Sequence, residues 1–328
     1  MCAVTCKKDN QVYIIPPCEF YSYDGESSMS LFAFVLIVCS AFMHASWNLL
    51  AKRSVMSVAF YTAICMTAMT LWLHVQFWTP VKVADLPGIF WIYLLCSVLF
   101  DMCYCFGLKY AYRTMEMSTA YPMMRALPLL MTAIVVAATG WGATLTPLAI
   151  IGMVVVFIGC LMMPLPDFAS FKLKNYLNRQ MFFIFLVACG TTGYTILDSQ
   201  SQAVLRTAIP QISKPVLSVT FYSTRGIVLS SLLLSVVMML PGERKNFLQI
   251  FKERNLMPVW AGVFASLTYT SVLLAMNYVS NVAYVQVFRQ LGLIFAAAGG
   301  IFILKEHCHL PKIVGIILIL SGLVITVI

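Results

Sequence analysis

The chain has 328 residues, 61% of them hydrophobic and only 10% charged, with a formal charge of +9. A soluble domain carries roughly a quarter charged residues, so water is not the main solvent of this protein. Most of the 21 Lys and Arg lie in short connections between apolar runs. That is the distribution of topology signals and excludes nucleic acid as a partner, since a nucleic-acid face gathers basic residues into a stripe interleaved with aromatics.

Residues Met1 to Ser30 are polar, contain Pro16 and Pro17, and lack the apolar core and cleavage site of a signal peptide. Region 1–30 is expected to be a flexible polar head. Beyond it come apolar runs of about 20 residues, the length that crosses a hydrocarbon core of roughly 30 Å. Each run is expected to be a spanning helix, because backbone groups in lipid must be satisfied within their own segment. Five runs fall in residues 31–165: Leu31 to Leu50, Val58 to Trp78, Gly88 to Leu108, Ser118 to Thr139, and Thr146 to Leu165. A polar linker, 166–180, carries Lys172, Lys174 and Arg179. Five more runs fall in residues 181–328: Met181 to Gln200, Val216 to Leu240, Met257 to Tyr278, Ala283 to Leu304, and Lys312 to Ile328. The expected fold class is all-α integral membrane, with ten transmembrane helices and multiple passes of a cell membrane.

The two halves align on each other. Cys39 and Asn48 fall on Cys189 and Asp198 at an offset of 150, Arg125 on Arg289 at 164, and Gly152 and Gly159 on Gly315 and Gly322 at 163. With an odd number of spans per half, the second half enters from the opposite side, which gives an inverted repeat of two five-helix halves. Many secondary transporters are built this way, with the solute site near the midplane between the halves. Thirteen Lys and Arg in the connections after odd-numbered spans, counting Lys312 at the edge of the last span, against five elsewhere outside the spans, place the N-terminus outside.

An ionisable group at a helix centre costs at least about 2.5–3.5 kcal/mol, so each one needs a partner or a wet cavity. The in-span set is His44, Asp101, Arg125, Asp198, Arg225 and Arg289, with the polar Asn48 beside His44. His44 and Asn48 are four apart and share one helical face with Ser40; they either line a cavity or bond across helices as packing glue. Arg125 and Arg289 occupy matching places. Their forked donors suit a carboxylate or phosphate, so they either grip an anionic or zwitterionic solute or pair with Asp101 or Asp198. Asp198 reads as a proton-relay candidate or, near the end of its span, as an interfacial residue. Tyr112, Tyr121, Tyr194, Tyr269 and Tyr284 are cavity-lining or interfacial candidates. The two glycine pairs, each seven apart, are expected to let helices approach closely.

Seven of the cysteines lie inside apolar runs and read as small hydrophobes. The remaining spacings suggest no metal site and no disulfide framework, and His307-Cys308-His309 reads as loop sequence. No Walker loop, His-Glu-x-x-His or Gly-x-Ser-x-Gly occurs, and no nucleophile, base and oxyanion grouping can be assembled; the chain reads as a non-enzyme without a cofactor.

Three stretches carry a family likeness: His44-Ala45-Ser46-Trp47-Asn48, Ser118-Thr119-Ala120-Tyr121-Pro122-Met123-Met124-Arg125, and Phe288-Arg289-Gln290-Leu291-Gly292 with Leu304-Lys305-Glu306. By these the chain resembles the EamA-type branch of the drug/metabolite transporter superfamily over roughly Leu31 to Ile328. The resemblance implies ten helices from a duplicated unit and alternating access to a central cavity. The expected function is secondary transport of small organic metabolites, amino acids or related solutes first, with Arg125, Arg289, Asn48, Asp198, His44, Trp47, Tyr121 and Tyr284 binding or gating the solute. The lipid bilayer is the other partner, and homo-oligomer formation is left open. The alternative is a lipid-linked flippase or a non-transporting membrane scaffold.

Overall fold

The structure, a computed structural model, describes residues 4–8, 11–15, 29–51, 57–114, 117–171, 181–302 and 308–328. Most of the head expected at 1–30 lies outside these residues. Described within it are an antiparallel ribbon, β1 (Val4–Lys8) with β2 (Gln11–Ile15), and Met29 with Ser30, whose N–H donates to Tyr278 O at 3.2 Å. Residues 172–180 of the expected linker, and His307, also lie outside.

The first half contains α1 (Leu31–Ala51), α2 (Val58–Trp72), α3 (Val75–Trp78), α4 (Gly88–Thr114), α5 (Met117–Thr139) and α6 (Pro147–Met162). The second contains α7 (Met181–Ala208), α8 (Lys214–Met239), α9 (Pro241–Lys252), α10 (Met257–Ala275), α11 (Val282–Phe288), α12 (Leu291–Phe302) and α13 (Leu310–Val327). Among the described residues nine helical stretches are long and apolar enough to cross a membrane, taking α2 with α3 and α11 with α12 as single stretches; α6 is a shorter apolar helix. The starts follow from local chemistry. Ser57 Oγ accepts the Phe60 N–H at 3.0 Å, Thr146 Oγ1 the Ala149 N–H at 3.1 Å, and Asn281 Oδ1 the Ala283 N–H at 2.8 Å, satisfying orphan donors of the first turn.

The second expected span is broken between Trp72 and Val75 and the fifth ends early, at Met162; other departures bear on the interior. The third span continues to Thr114 and the sixth to Ala208. The sixth does so because Gln200, Ser201 and Gln202 are buried against neighbouring helices and not against lipid, so a polar run there does not end the helix. The ninth span is broken at Arg289 and Gln290. An unforeseen helix, α9, fills the connection after α8.

Apolar and polar surfaces are arranged for lipid. Phe42, Ile92, Phe182 and Trp260 are more than half exposed, while Asp101, Asp198, Arg225, Gln286 and Arg289 are buried. Helix α1 packs on α10, α4 along α7, α6 along α13, and α2 on both α8 and α10. The α6–α13 contact is made by glycines: a Cβ added at Gly152 would stand 2.7 Å from Gly322 O and one at Gly159 2.7 Å from Gly315 O, and the converse additions meet the same 2.7 Å. Backbone touches backbone there, as expected for small residues at a membrane helix interface.

Helix α9 is fastened by Glu243. Its Oε1 accepts from Lys109 Nζ at 2.8 Å near the end of α4, and its Oε2 from the Ala59 N–H at 2.9 Å in the first turn of α2. A carboxylate at a helix N-terminus also meets the positive end of the dipole. Glu243→Ala is expected to cost roughly 1–3 kcal/mol, the range for bonds to a charged group, read as a lower thermal unfolding midpoint in detergent. Lys109→Ala, which removes one of the two contacts, should cost less.

Candidate functional site

Two cavities lie between the halves. The larger, about 110 Å³, is walled by Tyr61, Asp101, Tyr222, Arg225 and Tyr269, together with Trp47 and Thr268. The smaller, about 30 Å³, is walled by Asn48, Arg125, Thr191, Gln286 and Gln290. His44, Tyr104, Tyr194 and Arg289 line both, so the two spaces adjoin at these four residues.

One wall of the larger cavity is a buried ionic network contributed by five helices. Arg225 on α8 donates from Nη2 to Asp101 Oδ2 on α4 at 2.8 Å and from Nε to Asp198 Oδ1 on α7 at 3.1 Å. Tyr61 on α2 donates to Asp101 Oδ1 at 2.8 Å, Tyr269 on α10 to Asp198 Oδ2 at 2.5 Å, and Ser97 to Asp198 Oδ1. The guanidinium also lies over the Tyr194 and Tyr269 rings, 5.6 and 5.5 Å from their centroids. Each carboxylate oxygen has a donor, which is the condition under which buried charge is tolerated.

The smaller cavity is built around the break between α11 and α12. Arg125 Nη2 donates to Arg289 O at 2.7 Å, and Gln290 Nε2 donates to Arg125 O and Gln286 O, both at 3.1 Å. The Leu293 N–H turns to Gln290 O at 2.9 Å instead of reaching Arg289 O. A side chain inserted into the hydrogen-bond ladder is a recognised cause of such a break. Gly292 makes room for it, since a Cβ there would stand 3.0 Å from Arg125 Nη2. Arg289 itself is 4% exposed, and its Nη1 has no hydrogen-bond partner among the described residues; the same holds for Gln290 Oε1. An unfilled buried donor or acceptor costs about 1–3 kcal/mol, and more when charged.

The structure thus brings His44, Asn48, Arg125 and Arg289 together, with Trp47 in the adjoining wall. The His44 ring accepts at Nδ1 from Trp47 Nε1 at 3.1 Å, and Asn48 Nδ2 bonds back to His44 O at 2.7 Å. Asp198 and Tyr284 line neither cavity. Asp198 is fully buried in mid-helix, which overturns its interfacial reading: α7 runs on past it and Arg225 covers it. Of the alternatives for Arg125 and Arg289, pairing with Asp101 or Asp198 is not the one found; Arg225 takes both acids. The side chains of Tyr112 and Tyr121 lie outside what is described. Tyr61, Tyr104, Thr191, Gln286 and Gln290 escaped the sequence reading. Among the described residues no group of three His, Cys, Asp or Glu could hold a metal ion.

Nine apolar stretches among the described residues, around a polar, charge-bearing interior, define a multi-pass integral membrane protein. Residues 30–328 match the family described as sugar transport protein, and the chain belongs to that family. Comparison with curated proteins finds no match. A protein of known crystal structure is similar over 89% of this chain and 95% of its own, with a TM-score of 0.64 at 12% identity, a likeness of fold alone.

Proposed function

We propose that the chain is a secondary transporter that carries a sugar-like solute through the two cavities by alternating access. The family's description moves the first choice of solute from amino acids to sugars. The pair of cavities that share His44, Tyr104, Tyr194 and Arg289 in their walls is the observation that carries the reading. Tyrosine rings and hydrogen-bonding side chains along the walls suit a polyhydroxylated ring, whose C–H faces pack on aromatics and whose hydroxyls need partners. The discontinuous α11–α12 passage supports a solute site at this depth, since broken helices supply such sites in transporters.

The inverted repeat and the EamA-type likeness belong to the same proposal. Exchanging the halves maps the α1–α10 contact onto α7–α4, α1–α12 onto α7–α5, and α2–α10 onto α8–α4, while α6–α13 and α2–α8 map onto themselves. Arg125 and Arg289 then meet at the pseudo-twofold axis. Within this scheme His44, Trp47, Asn48, Arg125 and Arg289 contact solute, Tyr121 and Tyr284 belong to the gates, and Asp198 acts from inside the Arg225 network. The halves fall at 31–165 and 181–328 and the membrane is a cell membrane.

The test is uptake of labelled glucose into proteoliposomes. His44→Ala and Tyr104→Ala are each expected to lower initial uptake at least about tenfold, the loss of one well-placed contact of roughly 1.4 kcal/mol or more. Undiminished uptake by both variants rejects the shared wall as the solute path.

A further inference from the structure

The charged side chains inside the membrane domain do not balance locally. Asp101 and Asp198 share the single guanidinium of Arg225, which leaves that network one net negative charge, and Glu243 is paired with Lys109 near the end of α4. Among the described residues, the one carboxylate lining either cavity is Asp101, whose two oxygens are filled by Tyr61 and Arg225. The described lining of the smaller cavity holds the Arg289 guanidinium beside that of Arg125 and no carboxylate. His44 also faces this space and brings no negative charge.

The unfilled atoms sharpen this. Arg289 Nη1 is a charged donor without a partner among the described residues, and Gln290 Oε1, on the next residue, is an acceptor without one. The amide orientation of Gln290 is settled by its neighbours, because Nε2 faces two carbonyl oxygens, of Arg125 and Gln286; its oxygen therefore turns elsewhere. A donor that prefers an anion and an acceptor that prefers a hydroxyl, both on residues that line the smaller cavity, are together complementary to a hydroxy acid. Neutral glucose fills the acceptor but leaves the charge unanswered.

We infer that the transported solute is an acidic sugar, its carboxylate or phosphate taken by Arg289 in the smaller cavity, a neighbouring hydroxyl donated to Gln290 Oε1, and its ring held among the tyrosines of the larger one. The inference rests on the proposed transport function and names its substrate class. Arg125 lines the same cavity, its Nη2 fixed on Arg289 O. Arg125, Arg225 and Arg289 against Asp101 and Asp198 leave one net positive charge among these groups, which an anionic solute offsets.

The experiment is ligand-dependent thermal stabilisation of the full chain in detergent, titrated with glucose, glucuronate, glucose 6-phosphate and inorganic phosphate. Glucuronate or glucose 6-phosphate should bind at least about tenfold more tightly than glucose, the gain of one charge-assisted hydrogen-bond pair, and the comparison of these two acids tells carboxylate from phosphate. Arg289→Gln should bring the ratio of acid to glucose affinity to about one. Arg289→Lys, which keeps the charge without the fork, should retain the preference at weaker affinity. Glucose binding as tightly as both acids, phosphate alone binding as tightly as its sugar ester, or a preference that survives Arg289→Gln overturns the inference and leaves the transport reading standing. Silence from all four ligands overturns both. The wild-type titrations decide the class whether or not the variants fold.

Discussion

Arg225→Met is expected to cost about 3–5 kcal/mol of stability, the range for breaking a buried ion pair by removing one partner. The substitution strands two carboxylates at once. Asp101 would keep only Tyr61, and Asp198 only Ser97 and Tyr269. In water such groups would re-solvate; between five packed helices they cannot, and an uncompensated charge at membrane depth is expensive in its own right. Fluorescence-detected size exclusion after graded heating should show the folded peak lost at a markedly lower temperature. The triple variant Arg225→Met with Asp101→Asn and Asp198→Asn should recover much of the loss, because removing every charge of a buried network is far less damaging than removing one. An Arg225→Met protein as heat-resistant as wild type would show that the network does not hold these helices together.

That network was legible in the sequence only as isolated letters. Asp101, Asp198 and Arg225 stand out as ionisable residues inside apolar runs, and their cost in lipid demands partners. Which partner each takes is set by helix packing across 27 and 124 residues of chain, and no spacing rule reaches that far. The same limit left open whether Arg125 and Arg289 pair with these acids or face a solute. Span positions were far more readable, since apolar run length is a local property. Where they failed, at the extension of α7 through Gln200 to Gln202 and at the break after Phe288, polar groups are satisfied by other helices, Gln202 by Ser218 at 2.5 Å and Arg289 O by Arg125. Helix α9 was missed because its Pro241 start and charged face read as connection; its purpose emerges only when Glu243 meets α2 and α4 in space.

The glycine spacing, by contrast, was readable as a packing surface, and it supports the second large effect. Gly159→Leu is expected to cost about 3 kcal/mol, the upper end for overpacking. The added Cβ would lie 2.7 Å from Gly315 O and 3.0 Å from Ile319 N. These are backbone atoms, so no rotamer change relieves the clash; α6 and α13 must separate along their length. Gly159→Ala meets the same two atoms with less volume and should cost about 1–3 kcal/mol. Gly299→Ala on α12 is the internal control, because a Cβ there meets nothing within 4 Å, and alanine is the better helix former by roughly 0.5–1 kcal/mol. Thermal unfolding in one detergent should therefore rank Gly299→Ala at or above wild type, Gly159→Ala below it, and Gly159→Leu lowest. Combining Gly159→Ala with Gly315→Ala should cost less than the two singles together, since residues that share one contact do not act independently and the first methyl already parts the helices. Equal stability of Gly159→Leu and Gly299→Ala would mean that α6 and α13 do not meet backbone to backbone at this seam.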